Sequence, residues 1–71
     1  MSFKDEVKNR RRALGMTQLE LAYALKITPT TVSKWERGAA KPKFEILADL
    51  ARVLGITEQE LVRSDENDDE K

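Results

Sequence analysis

The eleven residues TPTTVSKWERG, Thr28 to Gly38, predict a short helix with two different faces. Proline is favoured at the first helical position because its missing N–H would be unpaired there anyway. Thr28 is pushed out of the helical region by that proline and can cap the helix with its hydroxyl. Val32 and Trp35 are three residues apart and are expected to face inward. The remaining stripe is polar and cationic, which suits close contact with another hydrogen-bonding surface: Thr30, Ser33, Lys34 and Arg37.

Two other segments predict corners between helices. GMTQLEL, residues 15–21, and GITEQEL, residues 55–61, share the order Gly, apolar residue, Thr, two residues, Glu, Leu. Glycine suits the left-handed position that ends a helix. Thr17 and Thr57 would cap the next helix, and the Glu three residues later would complete a capping box. With the apolar spacing of three and four, these signals predict five helices at about residues 2–14, 18–25, 29–38, 44–54 and 58–63.

The predicted helices have inward faces and leave a polar tail. The residues expected to face inward are Phe3, Val7, Arg11 and Leu14 in helix 1, Leu21, Ala22 and Leu25 in helix 2, and Phe44, Leu47, Ala48, Ala51 and Leu54 in helix 4. The tail SDENDDEK, residues 64–71, contains no apolar side chain. Such a segment cannot bury enough surface to fold. The expected organisation is therefore one domain, residues 1–63, and an acidic disordered tail, residues 64–71.

Composition restricts the possible functions. The chain has 71 residues with neither Cys nor His, so one small domain without disulfides or thiolate and imidazole metal ligands is expected. No Ser-His or Cys-His nucleophile can be assembled, and no Gly-rich phosphate loop is present. We therefore expect no enzymatic activity, no cofactor or metal, and no small-molecule ligand. The apolar runs are too short to span a membrane and no secretory signal is evident, so a cytoplasmic protein is expected.

The zero net charge conceals a strong asymmetry. Residues 1–43 carry ten Lys or Arg and four Asp or Glu, a net charge of +6. Residues 44–63 have a net charge of −2, and residues 64–71 have −4. Such an asymmetry often accompanies a surface that binds a polyanion. The alternative for charge alone is an ordinary solvated face.

The run MTQLELAYALKITPTTVSKWERGAAKPKFEILADLARVLGI, residues 16–56, resembles the phage Cro/repressor (XRE) family of DNA-binding domains. The match covers about Val7 to Val62. It implies an all-α, compact five-helix lambda-repressor-like domain in which helices 2 and 3 form a helix-turn-helix. Lys26 stands where the family often has Gly, which implies a residue in the left-handed conformation, at a cost of about 1 kcal/mol or more. Pro29 stands where relatives often place Gln or Ser, so base contact there can only be apolar.

The resemblance also implies roles for single residues. The candidates for reading bases are Pro29, Thr30, Ser33 and Lys34, and Lys34 is the strongest because Lys can donate to guanine O6 and N7. The candidates for binding DNA phosphates are Arg11, Thr17, Gln18, Arg37, Lys41 and Lys43. Gln18 opens helix 2, and helix N-termini attract anions. For each of these residues the alternative is an ordinary solvated side chain.

Arg11 is unusual because it lies on the apolar face of helix 1, where a lone charge would be costly. Relatives pair an Arg here with the Glu matching Glu36. The resemblance therefore implies a partly buried Arg11–Glu36 ion pair that leaves guanidinium donors near the DNA backbone. The alternative is that Arg11 extends to solvent.

Trp35 is assigned to the core rather than to base stacking, because its spacing from Val32 matches the inward face.

These features together predict a sequence-specific, double-stranded-DNA-binding transcriptional regulator, a repressor that binds an inverted-repeat operator. One recognition helix reads few base pairs, so a homodimer is expected, with Ile56, Leu61 and Val62 at its interface. Two alternatives stay open at this point. One is an antitoxin-like autoregulator that also binds a protein partner, for which the acidic tail is the candidate surface. The other is a helical protein-interaction module without DNA binding.

Overall fold

The five helices follow one another with short connections. The computed structural model describes residues 2–69, and it describes side chains for residues 2–63. The helices are α1 (Phe3–Ala13), α2 (Gln18–Leu25), α3 (Pro29–Arg37), α4 (Phe44–Leu54) and α5 (Glu58–Asp69). Within residues 2–69 no strand is formed. The predicted all-α fold is confirmed, and the first four helices begin and end within one residue of the predicted positions.

The two predicted corners have the geometry that their shared sequence pattern indicates. At the first corner, Thr17 Oγ1 accepts from the Glu20 N–H at 3.0 Å, and Glu20 Oε1 accepts from the Thr17 N–H at 2.8 Å. Thr57 and Glu60 repeat the same exchange at 3.1 and 3.0 Å. Both are capping boxes, which satisfy N–H groups that a helix start otherwise leaves unpaired. Local sequence therefore determines where α2 and α5 begin.

The core is built around α3. Trp35 is 2 % exposed and Val32 is fully buried, which confirms the inward face predicted for α3. This helix packs against α1 and α2, and α5 packs against α1 and α4. The buried apolar residues are Phe3, Val7, Leu21, Ala22, Val32, Trp35, Leu50, Ala51, Leu54, Ile56 and Leu61. The described helices include none that is both long enough and apolar enough to cross a membrane.

Two of the predicted inward faces are partly wrong. In α4, Phe44 is 83 % exposed and Ala48 is exposed, whereas Leu50 is fully buried. The buried residues of α4 are Leu50, Ala51 and Leu54. Leu47, three residues before Leu50, is half-buried and continues the same stripe at helical spacing. In α1, Leu14 is 51 % exposed because it is the C-cap residue, placed beyond the last helical turn. Both errors arise where the apolar pattern allowed two stripes or ran past a helix end.

The last helix is longer than predicted. The sequence predicted an end near Arg63 and disorder over residues 64–71, but α5 continues to Asp69. No glycine or proline follows Arg63 to stop the helix, and the capping box at Thr57 fixes only its start. The predicted end of this helix near Arg63 is therefore wrong, whereas the division into a domain, residues 1–63, and a disordered tail stays a prediction. The predicted disorder of residues 70–71 lies outside the described residues.

Candidate nucleic-acid interface

The turn between α2 and α3 gives this pair of helices its geometry. Lys26 ends α2 in the left-handed conformation, at φ 61° and ψ 41°. The next N–H, of Ile27, donates to the Ala22 carbonyl at 3.0 Å. Thr28 then caps α3, since its Oγ1 accepts from the Thr31 N–H at 3.3 Å. The left-handed conformation predicted for Lys26 is confirmed, and the two helices with this tight turn form a helix-turn-helix.

The outward face of α3 contains the residues predicted to read bases. Pro29, Thr30 and Lys34 are exposed, and Ser33 is half-buried. Ser33 Oγ accepts from Arg37 Nε at 3.3 Å. Because the bulky side chains of α3 point into the core, the outward face is left with short polar groups and one Lys. The structure thus brings these four residues onto one accessible surface, while their contact with bases stays a prediction.

The candidate phosphate contacts lie at both ends of the helix-turn-helix. Arg37, Lys41 and Lys43 are exposed at or after the end of α3. Thr17 and Gln18 stand at the start of α2, and the Thr17 hydroxyl is engaged in its cap. Both groups flank the outward face of α3 along the chain. Their contact with phosphate stays a prediction.

Arg11 and Glu36 form a buried ion pair, as the resemblance implied. Arg11 Nε donates to Glu36 Oε2 at 2.6 Å and Arg11 Nη2 donates to Glu36 Oε1 at 3.0 Å. The two side chains are 10 % and 2 % exposed, so Arg11 does not extend to solvent. Arg11 Nη1 donates to the Met16 carbonyl at 2.7 Å. The ion pair is therefore confirmed. These bonds hold most of the guanidinium inside the protein, and the phosphate contact predicted for Arg11 stays a prediction.

The electrostatics of the pair are mutually favourable. Hydrogen bonding to Glu36 raises the pKa of Arg11 above its ordinary value, although burial opposes that change. Burial alone would raise the pKa of Glu36, but the hydrogen bonds from Arg11 and Gln18 and the charge of Arg11 outweigh it. The pKa of Glu36 is consequently lowered. Both groups are thus held in their charged forms, and the pair fastens α1 to α3.

Gln18 is a third member of this network that sequence reasoning missed. Its Nε2 donates to Glu36 Oε1 at 3.1 Å, so Glu36 binds both Arg11 and Gln18. The sequence offers no signal for this contact, because Gln18 and Glu36 lie on different helices and only the packing of α2 on α3 brings them together. One carboxylate therefore connects α1, α2 and α3.

The predicted dimer surface needs correction. Leu61 is fully buried and Ile56 is 9 % exposed, and both belong to the core of the single chain. Neither side chain is therefore exposed for contact with a second copy. Val62 is 40 % exposed. It lines an open groove of about 300 Å³ with Glu58, Gln59 and Arg63, and it is the one residue of the three that keeps its predicted role as a candidate.

The fold and this site define a helix-turn-helix domain. A family model described as "Helix-turn-helix" matches residues 7–61. The chain belongs to that family, in its XRE or Cro/repressor-like branch of DNA-binding transcriptional regulators. The two relatives described next are both named as transcriptional regulators.

Two curated relatives illustrate the family. The HTH-type transcriptional regulator DicA of Escherichia coli K12 is 36% identical over 67 residues, which cover 94% of this chain and 50% of DicA. The HTH-type transcriptional activator BcrR of Enterococcus faecalis is 32% identical over 66 residues, which cover 93% of this chain and 32% of BcrR. The chain thus spans a third to a half of the length of these relatives.

Solved structures share the fold. The P22 c2 repressor in complex with a synthetic operator superposes with a TM-score of 0.85 at 25% identity, over 92% of this chain and 98% of that one. The hydroxypropylphosphonic acid epoxidase from S. wedmorenis is also similar, with a TM-score of 0.75 at 35% identity. That likeness covers 83% of this chain but 31% of the epoxidase. A unit with most of this fold therefore also forms part of a larger enzyme.

Proposed function

We propose that the chain binds double-stranded DNA by placing α3 in the major groove and that it acts as a transcriptional repressor. The observation that carries this proposal is the outward face of α3, where Thr30, Ser33 and Lys34 share a surface of a helix-turn-helix. In this motif the second helix reads base edges while the first crosses the backbone. Similarity to the P22 c2 repressor bound to operator DNA supports the same docking. One relative, BcrR, is named as an activator. In our proposal, the position of the bound site relative to a promoter therefore determines whether binding represses transcription.

The charge distribution supports contacts with the DNA phosphate backbone on either side of α3. The first N–H groups of α2 have no partner within the helix, and the helix dipole favours an anion there. Gln18 lies at this position. At and beyond the C-terminal end of α3, positive charge is added by Arg37, Lys41 and Lys43. In our proposal these residues neutralise phosphates and fix the register of α3, whereas base contacts supply the sequence preference.

We also propose that two copies bind an inverted repeat. One α3 offers few base-reading side chains, so a single copy would discriminate weakly. Val62 and the groove beside it on α5 are the proposed contact between copies, because the other two predicted interface residues are buried. Recognition helices related by a two-fold axis enter successive major grooves about 34 Å apart, which is about 10 bp.

Selection of bound sequences from a random duplex pool tests the proposal. The expected result is an inverted repeat with half-site centres about 10 bp apart, bound by two copies. Val62→Glu should reduce binding of the second copy without unfolding the chain, because Val62 is already 40 % exposed. A single unrepeated half-site bound by one copy would contradict the dimer. Recovery of no common sequence would contradict sequence-specific binding.

A further inference from the structure

The amide of Gln18 meets two different acceptors in the proposed complex. On its inner side Nε2 donates to Glu36 Oε1 at 3.1 Å, and on its outer side lies the proposed phosphate contact. We propose that Glu36 is a positioning residue for the DNA backbone: its carboxylate orients the Gln18 amide so that the second N–H of Nε2 faces a phosphate. This inference rests on the proposed function, and it assigns to an internal carboxylate a role in binding a polyanion.

The orientation follows from the chemistry of the two groups. A carboxylate can only accept hydrogen bonds, so the NH₂ side of the amide must face Glu36 and the carbonyl must turn away. A phosphate is likewise an acceptor, and it too requires an N–H. Because Nε2 carries two hydrogens, a single nitrogen can serve both acceptors at once. A Gln18 side chain without Glu36 would be free to present either its N–H or its carbonyl.

Glu36 can act in this way because it is itself immobile. Both of its oxygens are bound by Arg11, at 2.6 and 3.0 Å, and its side chain is 2 % exposed. Arg11 is tied in turn to the Met16 carbonyl at 2.7 Å, two residues before Gln18. The carboxylate therefore has a fixed position relative to the start of α2. A group held by a rigid second contact loses less freedom when it binds its ligand.

The first test examines the amide without DNA. The chain contains two glutamines, and Gln59 on α5 is exposed in the single chain, so it serves as an internal control when the protein is dilute enough to be monomeric. NMR relaxation of the side-chain amides should give Gln18 a high order parameter, approaching the value of about 0.85 that is typical of rigid backbone, and Gln59 a value below about 0.6. In Glu36→Gln the value for Gln18 should fall towards that of Gln59. Equally low order parameters in the wild-type protein would overturn the inference.

The second test is a double-mutant cycle on DNA affinity. Gln18→Ala and Glu36→Gln should each weaken binding to a random-sequence duplex by up to about tenfold. The double variant should bind no more weakly than the weaker-binding single variant, because both changes act through the same N–H of Gln18. Arg37→Ala is the matched control. Its fold loss in DNA affinity should multiply with the fold loss in Glu36→Gln, because Arg37 contacts the DNA independently in our proposal. Circular dichroism at the binding temperature must show each variant folded.

The two tests separate the inference from the function on which it rests. If the losses in DNA affinity from Gln18→Ala and Glu36→Gln multiply while the wild-type protein still binds duplex DNA, Glu36 is not a positioning residue. The proposed function then stands. If the wild-type protein binds no duplex even at low salt, the proposed function and the inference both fail. If Glu36→Gln does not fold, the amide measurement on the wild-type protein still decides the question.

Discussion

Lys26 has a left-handed backbone conformation, in which a residue with a side chain is strained. Its φ is 61°, whereas Gly15, Gly38 and Gly55 take the same left-handed conformation at the other helix ends. For a residue with a Cβ this conformation costs about 1–2 kcal/mol. The tight turn between α2 and α3 needs it, so the chain carries this strain at the base of its proposed DNA-binding element.

Replacing Lys26 should relieve the strain. Lys26→Gly is expected to raise the free energy of unfolding by about 0.5–1 kcal/mol, because part of the relief is offset by the greater freedom of glycine in the unfolded chain. Gly55→Lys is the matched control, since Gly55 has φ +76° and open space around a built Cβ. It should lower the free energy of unfolding by about 0.5–1 kcal/mol, because the same offset acts in the reverse direction. Urea unfolding measures both, and an unchanged or lower stability of Lys26→Gly would contradict strain at this turn.

Glu36 should make the fold sensitive to acid. Its pKa is lower in the folded state than the ordinary value of 4.5. A carboxyl of this kind stabilises the fold above its unfolded pKa, and this contribution is lost as the pH falls through the folded pKa. Stability should therefore decline below about pH 4.5, and the decline should be shallower in Glu36→Gln.

Unfolding followed at a series of pH values measures this dependence. Glu60→Gln is the control, because the pKa of Glu60 is also lowered, chiefly by the hydrogen bond from the Thr57 N–H, but its carboxyl lies at the surface. It should change the pH dependence less than Glu36→Gln does. An identical acid decline in the wild-type protein and Glu36→Gln would show that the buried pair does not contribute to it.

At the scale of elements, α4 shows that apolar residues do not all face inward. Phe44 begins the helix and is 83 % exposed, whereas Leu50 is fully buried. The hydrophobic residues of α4 permit two overlapping stripes at helical spacing. Packing against α2 and α5 selects the stripe that contains Leu50, and this selection is a tertiary effect.

Truncating a buried side chain of α4 should lower the free energy of unfolding far more than truncating an exposed one. Leu50→Ala should lower the free energy of unfolding by about 2–5 kcal/mol, because it leaves a cavity in the core. Phe44→Ala should change it by less than about 0.5 kcal/mol, as expected for a surface site. Thermal or urea unfolding of the two variants measures the difference. A large loss in Phe44→Ala together with a small one in Leu50→Ala would contradict the orientation of α4.

What the sequence predicts well is local. Capping boxes at Thr17 and Thr57 depend on residues three apart, so the helix starts could be read directly. The Arg11–Glu36 pair could be anticipated only through resemblance to a family. The contact of Gln18 with Glu36 and the burial of Leu61 depend on how helices pack, and no pattern within one helix indicates them.

At the scale of the whole molecule, the residues proposed to contact DNA all lie within the basic part of the chain. Residues 1–43, with their net charge of +6, include all of α1, α2 and α3. Charge of this kind attracts any duplex, and its binding weakens as salt rises. A domain that binds DNA through charge alone has the same affinity for any base sequence. A sequence-specific domain has a higher affinity for its own site, and this difference separates the two cases.

Affinities of Lys34→Ala and Lys43→Ala for a selected duplex and a scrambled duplex, measured across a salt series, separate these two cases most directly. Lys34 projects from the outward face of α3, whereas Lys43 is the exposed N-cap residue of α4. Lys34→Ala should cost about 1–3 kcal/mol on the selected duplex and much less on the scrambled one. Lys43→Ala should weaken both equally and reduce the salt slope by about one for each copy bound. Equal losses on both duplexes for Lys34→Ala would contradict base reading by this residue of α3.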